Sequence, residues 1–201
     1  QPTVYRKWDE NTAILSGDAM HILAWQYFLK QPHSNSHAIL QTFGQTCIEI
    51  HKGQQYDMNF EHRNDVTIDE YMEMIRLKTA ALLGGALKIG ALIANADTAD
   101  TEAIYNFGIK TGLAFQLRDD LLDAYGDTAT FGKQTGTDIR DNKKTFLLLR
   151  AIEKGNATQQ QRLRELFATT PQDPTDKINE VLDIYNQLDI RHEVEQRIAQ
   201  L

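Results

Sequence analysis

Three aspartates stand close together in the sequence, at Asp119, Asp120 and Asp123. On a helix, Asp119 and Asp123 are four residues apart, so their carboxylates stack on one face, with Asp120 about 100° around the axis. Like charges at this spacing destabilise an isolated helix. Because the surrounding Phe115, Leu117, Leu121 and Leu122 predict a largely buried helix, the three carboxylates need a positive counter-charge.

This acidic cluster has other possible explanations. An EF-hand calcium loop is excluded, because Leu121 stands at the third ligand position and Ala124 at the position that requires glycine. A di-iron helix bundle is excluded, because the sequence contains no Glu-x-x-His motif. A solvated acidic edge on a surface helix stays open as an alternative.

Basic residues follow the acidic cluster. Lys133, Arg140, Lys143 and Lys144 lie in or just after the segment Asp127 to Asn142, which is rich in glycine, threonine and aspartate and is predicted to be a long loop. Such a loop suits a site for Mg²⁺ and a phosphate. Mg²⁺ binds through one or two carboxylates plus substrate phosphates, and lysine supplies a positive charge to the same phosphates. Each lysine alone could equally be a solvated surface charge.

The elements that position these residues are predicted to be helices, because no proline stands between Pro32 and Pro171. The long helices are predicted from Asn11 to about Leu29, from Ser34 or Ser36 to the Gly53–Glu61 region, from a Thr67–Glu70 capping box to Ala94, and from Thr98 or Thr101 to near Gly126.

Two further features complete the predicted architecture. The Gly84-Gly85 pair inside the third helix indicates close helix packing or a break near Lys78-Thr79, since glycine costs a helix about 1 kcal/mol relative to alanine. Three or four shorter helices follow the loop. We therefore predict an all-α fold of antiparallel helices, forming one domain over residues 1–201.

The sequence resembles the trans-type isoprenyl diphosphate synthases, whose motifs it carries in the family's order. The matching elements are Gly53-Gln54-x-x-Asp57, Lys78-Thr79, Phe115-Gln116-x-x-Asp119-Asp120-x-x-Asp123, Gly132-Lys133 with Gly136-Thr137-Asp138, and Asp141-Asn142-Lys143. The resemblance implies an antiparallel helix bundle of the isoprenoid synthase type. It also implies a prenyltransferase in which an allylic diphosphate, such as geranyl or farnesyl diphosphate, loses pyrophosphate and is attacked by isopentenyl diphosphate.

The resemblance assigns the cofactor and most of the site. Mg²⁺ would be bound directly by Asp119, and by Asp120 and Asp123 either directly or through water. Lys78 and Lys133 would bind the allylic diphosphate.

The remaining residues of the motifs have supporting roles in the same comparison. Gln116 and the backbone carbonyl of Thr79 would face the allylic cation. Lys143 and Gln54 would contribute to substrate binding from the edge of the site, with Asp138 closing the loop and Asp57 supporting the site. A homodimer is the expected assembly.

The sequence departs from the family pattern at both ends. The family's first Asp-Asp-x-x-Asp motif and an arginine pair would stand just before Pro2-Thr3, and the family continues for several tens of residues beyond a helix like Glu193 to Leu201. The sequence is therefore expected to be truncated at both ends, and residues 1–201 alone are expected to make no product.

Two other functions share parts of this pattern. A non-catalytic partner subunit of a heteromeric prenyl synthase would keep the fold and lack the first acidic motif. A terpene cyclase would share the acidic helix, but the Lys133 loop and the Lys78-Thr79 pair argue against it.

Composition restricts the partners and the compartment. The 21 basic and 28 acidic side chains give a net charge of −7, which does not favour binding to nucleic acid. One cysteine, Cys47, cannot form an internal disulfide, which favours a reducing compartment. No apolar stretch is long enough for a membrane span, and no signal peptide is visible, so a cytoplasmic protein is predicted.

Overall fold

The structure, a computed structural model, describes residues 2–30, 32–126 and 135–201. These residues form α-helices joined by short connections, and none of them lies in a β-strand. The helices are α1 (Val4–Lys7), α2 (Glu10–Leu29), α3 (Ser36–Phe60), α4 (Ile68–Ile75), a π-helical turn (Arg76–Ala80), α5 (Ala81–Ile93), α6 (Thr98–Tyr125), α7 (Thr137–Arg140), α8 (Phe146–Lys154), α9 (Ala157–Leu166), α10 (Thr175–Gln187) and α11 (Ile190–Ala199). The predicted all-α class is confirmed.

The helix starts follow their capping side chains. The Thr67–Glu70 capping box is confirmed, with each residue accepting a hydrogen bond from the backbone N–H of the other. The predicted cap at Asn11 is wrong, because the Asp9 carboxylate accepts from the Thr12 N–H at 2.7 Å and starts α2 two residues earlier. A cap at Thr98 or Thr101 is also wrong, since Asp97 caps α6.

The predicted loop from Asp127 to Asn142 is wrong in part. Residues 127–134 lie outside the described residues, but Thr137–Arg140 forms the short helix α7. The Asp123 carboxylate, at the end of α6, accepts hydrogen bonds from the Thr137 hydroxyl and from the Asp138 N–H (2.9 Å for the latter). These bonds satisfy donors in the first turn of α7, so the chain closes into a helix there.

The hydrophobic core lies between the C-terminal half of α6 and the helices α4 and α8 to α11. Its most deeply buried large side chains are Ile75, Leu117, Leu147, Leu148, Leu163, Val181, Tyr185, Ile190 and Val194. The core therefore fixes the end of α6 that carries the three aspartates.

The π-helical turn lies between α3 and α6 at a close backbone approach. A β-carbon on Gly53 of α3 would overlap the backbone of Lys78, and one on Gly112 of α6 would overlap Ala80. Gly84 packs closely against the Ile109 side chain, and Gly85 against the Thr46 side chain. Both explanations offered for this glycine pair, close packing and a break near Lys78-Thr79, are thus found in the structure.

Candidate active site

A cavity of about 120 Å³ opens where α3, α4, α6 and the segment around α7 meet. Its lining residues share a polar or charged character, apart from Met74 and Ile75. They are Asp57, Tyr71, Met74, Ile75, Lys78, Gln116, Asp119, Asp120, Asp138, Lys143, Lys144 and Thr145. The cavity thus has a basic side and an acidic side facing the same space.

The basic side is organised around Asp57 at the end of α3. The Lys78 ammonium lies 2.6 Å from the Asp57 carboxylate, and the Lys143 ammonium lies 3.7 Å from the same oxygen and 3.4 Å from Glu61. Burial lowers the pKa of Lys143, but Asp57 and Glu61 outweigh it and leave the pKa above its usual value. Lys143 is therefore held in its charged form.

Lys144 completes the basic side without a carboxylate partner among the described residues. Its ammonium donates to the Asn142 carbonyl at 3.1 Å, and burial lowers its pKa. Two adjacent lysines thus face the cavity, of which one is held by carboxylates and the other by a backbone oxygen.

A chain of hydrogen bonds joins the π-helical turn to the acidic side. The Thr79 hydroxyl donates to Gln116 Oε1 at 2.9 Å, and Gln116 Nε2 donates to Asp120 Oδ1 at 3.0 Å. The Tyr71 hydroxyl donates to the other Asp120 oxygen. Burial raises the pKa of Asp120 to about 7, while the hydrogen bonds from Tyr71 and Gln116 act in the opposite direction. Asp120 therefore fixes the orientation of the Gln116 amide.

Asp119 differs from its neighbour. Its side chain lines the cavity, and the residue is exposed and forms no ion pair with another described residue. Asp138 also lines the cavity, and burial together with the charge of Asp123 raises its pKa to about 6. Asp119 is thus the carboxylate most accessible to a ligand entering the cavity.

The predicted site residues divide into those that the structure brings together and those that it does not. Lys78, Thr79, Gln116, Asp119, Asp120 and Lys143 meet at or beside the cavity. Asp123 does not line it, because its carboxylate is occupied by the first turn of α7. Gln54 lies exposed on α3 outside the lining, and Asp57, three residues later, faces the cavity in its place. Lys133 lies outside the described residues.

Tyr71 lines the cavity, like Thr145, although the sequence predicts neither as a site residue. It stands in α4, 49 residues before the carboxylate that it contacts. Its position in the first turns of an amphipathic helix is typical of any core tyrosine, so the sequence offers no signal for this contact. Sequence patterns within single helices cannot predict a contact between a hydroxyl and a carboxylate that lie so far apart along the chain.

The donor set fits Mg²⁺ at Asp119 in particular. Mg²⁺ keeps several waters and needs only one or two protein carboxylates when substrate phosphates supply further oxygens. The accessible Asp119 meets that requirement, whereas Asp120 and Asp123 have both carboxylate oxygens engaged in hydrogen bonds. Within residues 2–30, 32–126 and 135–201, no three acidic, histidine or cysteine side chains converge tightly enough to hold a metal ion alone.

Comparison with known proteins shows the family to which the chain belongs. The polyprenyl synthetase family model matches residues 1–185. The chain belongs to the polyprenyl synthetase family. A geranylfarnesyl diphosphate synthase from Natronomonas pharaonis is 41% identical over 156 residues, which cover 77% of this chain and 46% of that protein.

Solved structures of the polyprenyl synthetase family share the fold of this chain. The crystal structure of a geranylgeranyl pyrophosphate synthase has a TM-score of 0.92 and 42% identity, covering all of this chain and 62% of that one. A polyprenyl synthase from Caulobacter crescentus, solved with calcium and isoprenyl diphosphate, has a TM-score of 0.85 and 27% identity over 98% of this chain and 58% of that one. The predicted isoprenoid synthase-type bundle is thereby confirmed.

This polyprenyl synthetase chain spans about half the length of the curated relatives that it matches. None of the helices in the described ranges is long and apolar enough to cross a membrane.

Proposed function

We propose that the protein containing this chain is a Mg²⁺-dependent prenyltransferase that condenses isopentenyl diphosphate with an allylic diphosphate and so elongates a trans-polyprenyl diphosphate. The observation that carries the proposal is the cavity in which Lys78, Lys143 and Lys144 face Asp119. Membership of the polyprenyl synthetase family and the names of its relatives support the same reaction.

The basic side of the cavity suits the diphosphate of the allylic substrate. Lys78 and Lys143 already form ion pairs with Asp57, so both ammonium groups are held at the cavity before the substrate arrives. A diphosphate oxygen can take up the ammonium donors that Asp57 does not use, since each lysine has three. We assign Lys133 the same role by resemblance.

Asp119 is the residue that we propose to hold Mg²⁺, with Asp120 and Asp123 acting through bound water. A divalent cation at this place would neutralise the negative charge that develops on the departing diphosphate. Asp119 can bind it without losing a hydrogen bond within the described residues, whereas Asp123 would have to release α7.

Gln116 and Thr79 are suited to stabilise the allylic cation, as the resemblance implies. Because Asp120 and the Thr79 hydroxyl fix both ends of its amide, Gln116 presents a preoriented carbonyl dipole to the cavity. A fixed oxygen near a developing cation stabilises it without reorganisation during the reaction. The allylic C–O bond then breaks toward the lysines and releases pyrophosphate. The double bond of isopentenyl diphosphate forms the new C–C bond next to Gln116, and the proton that the product loses passes to the released pyrophosphate.

Incorporation of labelled isopentenyl diphosphate, with geranyl or farnesyl diphosphate as primer, tests the proposal on the full-length protein. The expected result is a longer prenyl diphosphate that forms with Mg²⁺ and is lost when the metal is chelated. A full-length protein that folds and incorporates no label would contradict the proposal and favour the partner subunit.

A homodimer is the assembly that we propose. Helix α2 has no buried residue within the described chain, although it carries Leu15, Met20, Leu23 and Tyr27, each more than half exposed. Apolar surface of this extent on one helix marks an interaction site. A second copy of the chain is the occupant that the family resemblance implies.

We also propose that residues 1–201 belong to one domain in a cytoplasmic protein. One continuous cluster of buried residues, from Phe60 to Val194, supports the single domain. The lone cysteine, Cys47, supports a reducing compartment.

A further inference from the structure

Lys177 is a buried lysine without a carboxylate partner among the described residues. It stands in the first turn of α10 and is only 4% exposed. A cation in this position opposes the helix dipole and loses most of its hydration, so its location is unfavourable unless other groups compensate it. The groups in direct contact are neutral: the Asn142 side-chain oxygen at 2.5 Å, the Thr169 carbonyl at 3.0 Å and the Phe167 ring at 5.3 Å. The Asp141 carboxylate attracts the ammonium from beyond ion-pair distance.

Asn142 is held at both ends of its side chain by these contacts. Its Oδ1 accepts from Lys177, and its Nδ2 donates to the Thr169 carbonyl at 3.3 Å and to the Thr170 hydroxyl at 3.1 Å. Its backbone adopts the left-handed conformation with φ of 58°, which asparagine tolerates better than most residues. The chain direction after α7 is therefore set at this residue.

The two residues that follow Asn142 are the cavity lysines. The Lys143 side chain extends from this turn toward Asp57, and the Lys144 ammonium donates back to the Asn142 carbonyl at 3.1 Å. A displacement of the Asn142 backbone would move both ammonium groups together. Lys177, which lines no part of the cavity, can thus influence the diphosphate side through a single intermediate residue.

We propose that Lys177 is a positioning residue for diphosphate binding, which acts through Asn142 on Lys143 and Lys144. The inference rests on the proposed function, because it takes the two lysines as diphosphate ligands. The buried ammonium of Lys177 serves to position the segment from Asn142 to Lys144. A hydrophobic side chain of similar volume would satisfy the packing of α10 without a desolvated charge.

Lys177→Met removes the ammonium and keeps most of the side-chain volume. In the full-length protein with Mg²⁺, we expect the affinity for inorganic pyrophosphate to fall and the KM for the allylic diphosphate to rise about tenfold, because small misplacements of binding groups have large effects. We expect kcat to change less. Lys154→Met, which breaks an ion pair with Glu193 away from the cavity, is the matched control and should leave both quantities unchanged.

Asn142→Gly is the second variant, since it keeps the left-handed backbone and removes only the side-chain contacts. It should weaken pyrophosphate binding as Lys177→Met does. Because both variants act through the same contact, the double variant should bind pyrophosphate no more weakly than the more affected single variant. If Lys177→Met fails to fold, as judged by circular dichroism, Asn142→Gly decides the question alone.

The proposal is overturned if a folded variant binds pyrophosphate as the unchanged protein does, or if kcat falls while pyrophosphate affinity is unchanged. Calorimetry measures the affinity for pyrophosphate directly, so this measurement does not depend on turnover. A full-length protein whose pyrophosphate affinity depends on Lys177 but which incorporates no isopentenyl diphosphate would therefore contradict the proposed function and retain this inference.

Discussion

Asp119 and Asp120 are consecutive residues with opposite environments. Asp119 is exposed at the cavity, whereas Asp120 is 6% exposed and accepts hydrogen bonds at both carboxylate oxygens. Two neighbouring carboxylates in such different surroundings can perform different tasks. Here the accessible carboxylate is suited to a metal ion, and the buried one to holding Gln116.

Asp119→Ala tests the metal-binding role. We expect turnover by the full-length protein to fall at least about 10²-fold, or roughly 3 kcal/mol in the activation barrier, because a preorganised charge at the leaving group is lost. Steady-state kinetics at saturating substrates measure the effect, and a raised Mg²⁺ requirement should accompany it. Asp183→Ala, at an exposed position of α10, makes the same substitution away from the cavity and should leave turnover unchanged. A loss smaller than tenfold at Asp119 would contradict the assignment.

Tyr71→Phe tests the hydrogen bond to Asp120. Removing the hydroxyl leaves one oxygen of a buried carboxylate without its donor, which should lower the free energy of unfolding by about 1–3 kcal/mol. Tyr125→Phe is the matched control, because its hydroxyl is buried but has no hydrogen-bond partner in the described part of the chain. Urea denaturation should show that variant to be as stable as the unchanged protein or more so. Equal losses in both variants would mean that the Tyr71 hydroxyl contributes nothing specific.

At the scale of the elements, the π-helical turn determines where Lys78 and Thr79 point. The turn adds a residue to one helical repeat between α4 and α5. Gly53 and Gly112 allow α3 and α6 to approach the turn from two sides. The glycine of the Gly-Gln-x-x-Asp element therefore has a structural explanation, since it brings α3 close enough for Asp57 to reach Lys78.

Gly53→Ala is expected to separate α3 from the turn. The added methyl group would overlap the Lys78 backbone, which cannot move as a flexible side chain could. We expect stability to fall by about 1–3 kcal/mol through overpacking. Gly90→Ala in α5 meets nothing within 4 Å and should raise stability by about 0.5–1 kcal/mol through the better helix propensity. Thermal denaturation compares the two, and a neutral Gly53→Ala would show that the close approach is not needed.

The sequence predicts the helices well and their junctions less well. The Thr67–Glu70 box is recognisable because its partners are three residues apart, and the long helices show periodic apolar positions. The start of α7 is not recognisable, because its stabilising carboxylate, Asp123, lies in the preceding helix beyond residues 127–134. The acidic cluster and the lysines after it are recognisable from residue types and spacing, and the motif resemblance adds Lys78, Thr79, Gln54 and Gln116. The contact between Tyr71 and Asp120 depends on packing alone.

At the scale of the whole molecule, the apolar surface is distributed unevenly. The helices α8 to α11 and the end of α6 bury their apolar residues, whereas α2 and the middle of α6 expose theirs. Phe107 and Phe115 of α6 are each more than 60% exposed. The prediction that α6 is largely buried is therefore correct, within one chain, only for the C-terminal part of the helix. Burial of the remaining part would require a partner.

Leu23→Glu tests the proposed dimer. Leu23 is 52% exposed in the middle of α2, and a charge there would have to be buried without a partner in a dimer that covers this face. Desolvating such a charge is strongly unfavourable. We expect the full-length protein to sediment as a dimer, and the variant to dissociate to a monomer at concentrations at which the unchanged protein does not.

Asn179→Glu adds the same charge at an exposed position of α10 and should leave the dimer intact. If the unchanged full-length protein sediments as a monomer, the proposed dimer is wrong. If Leu23→Glu stays dimeric with unchanged affinity, the dimer forms through a different face. Dissociation confined to Leu23→Glu would assign the apolar surface of α2 to self-association.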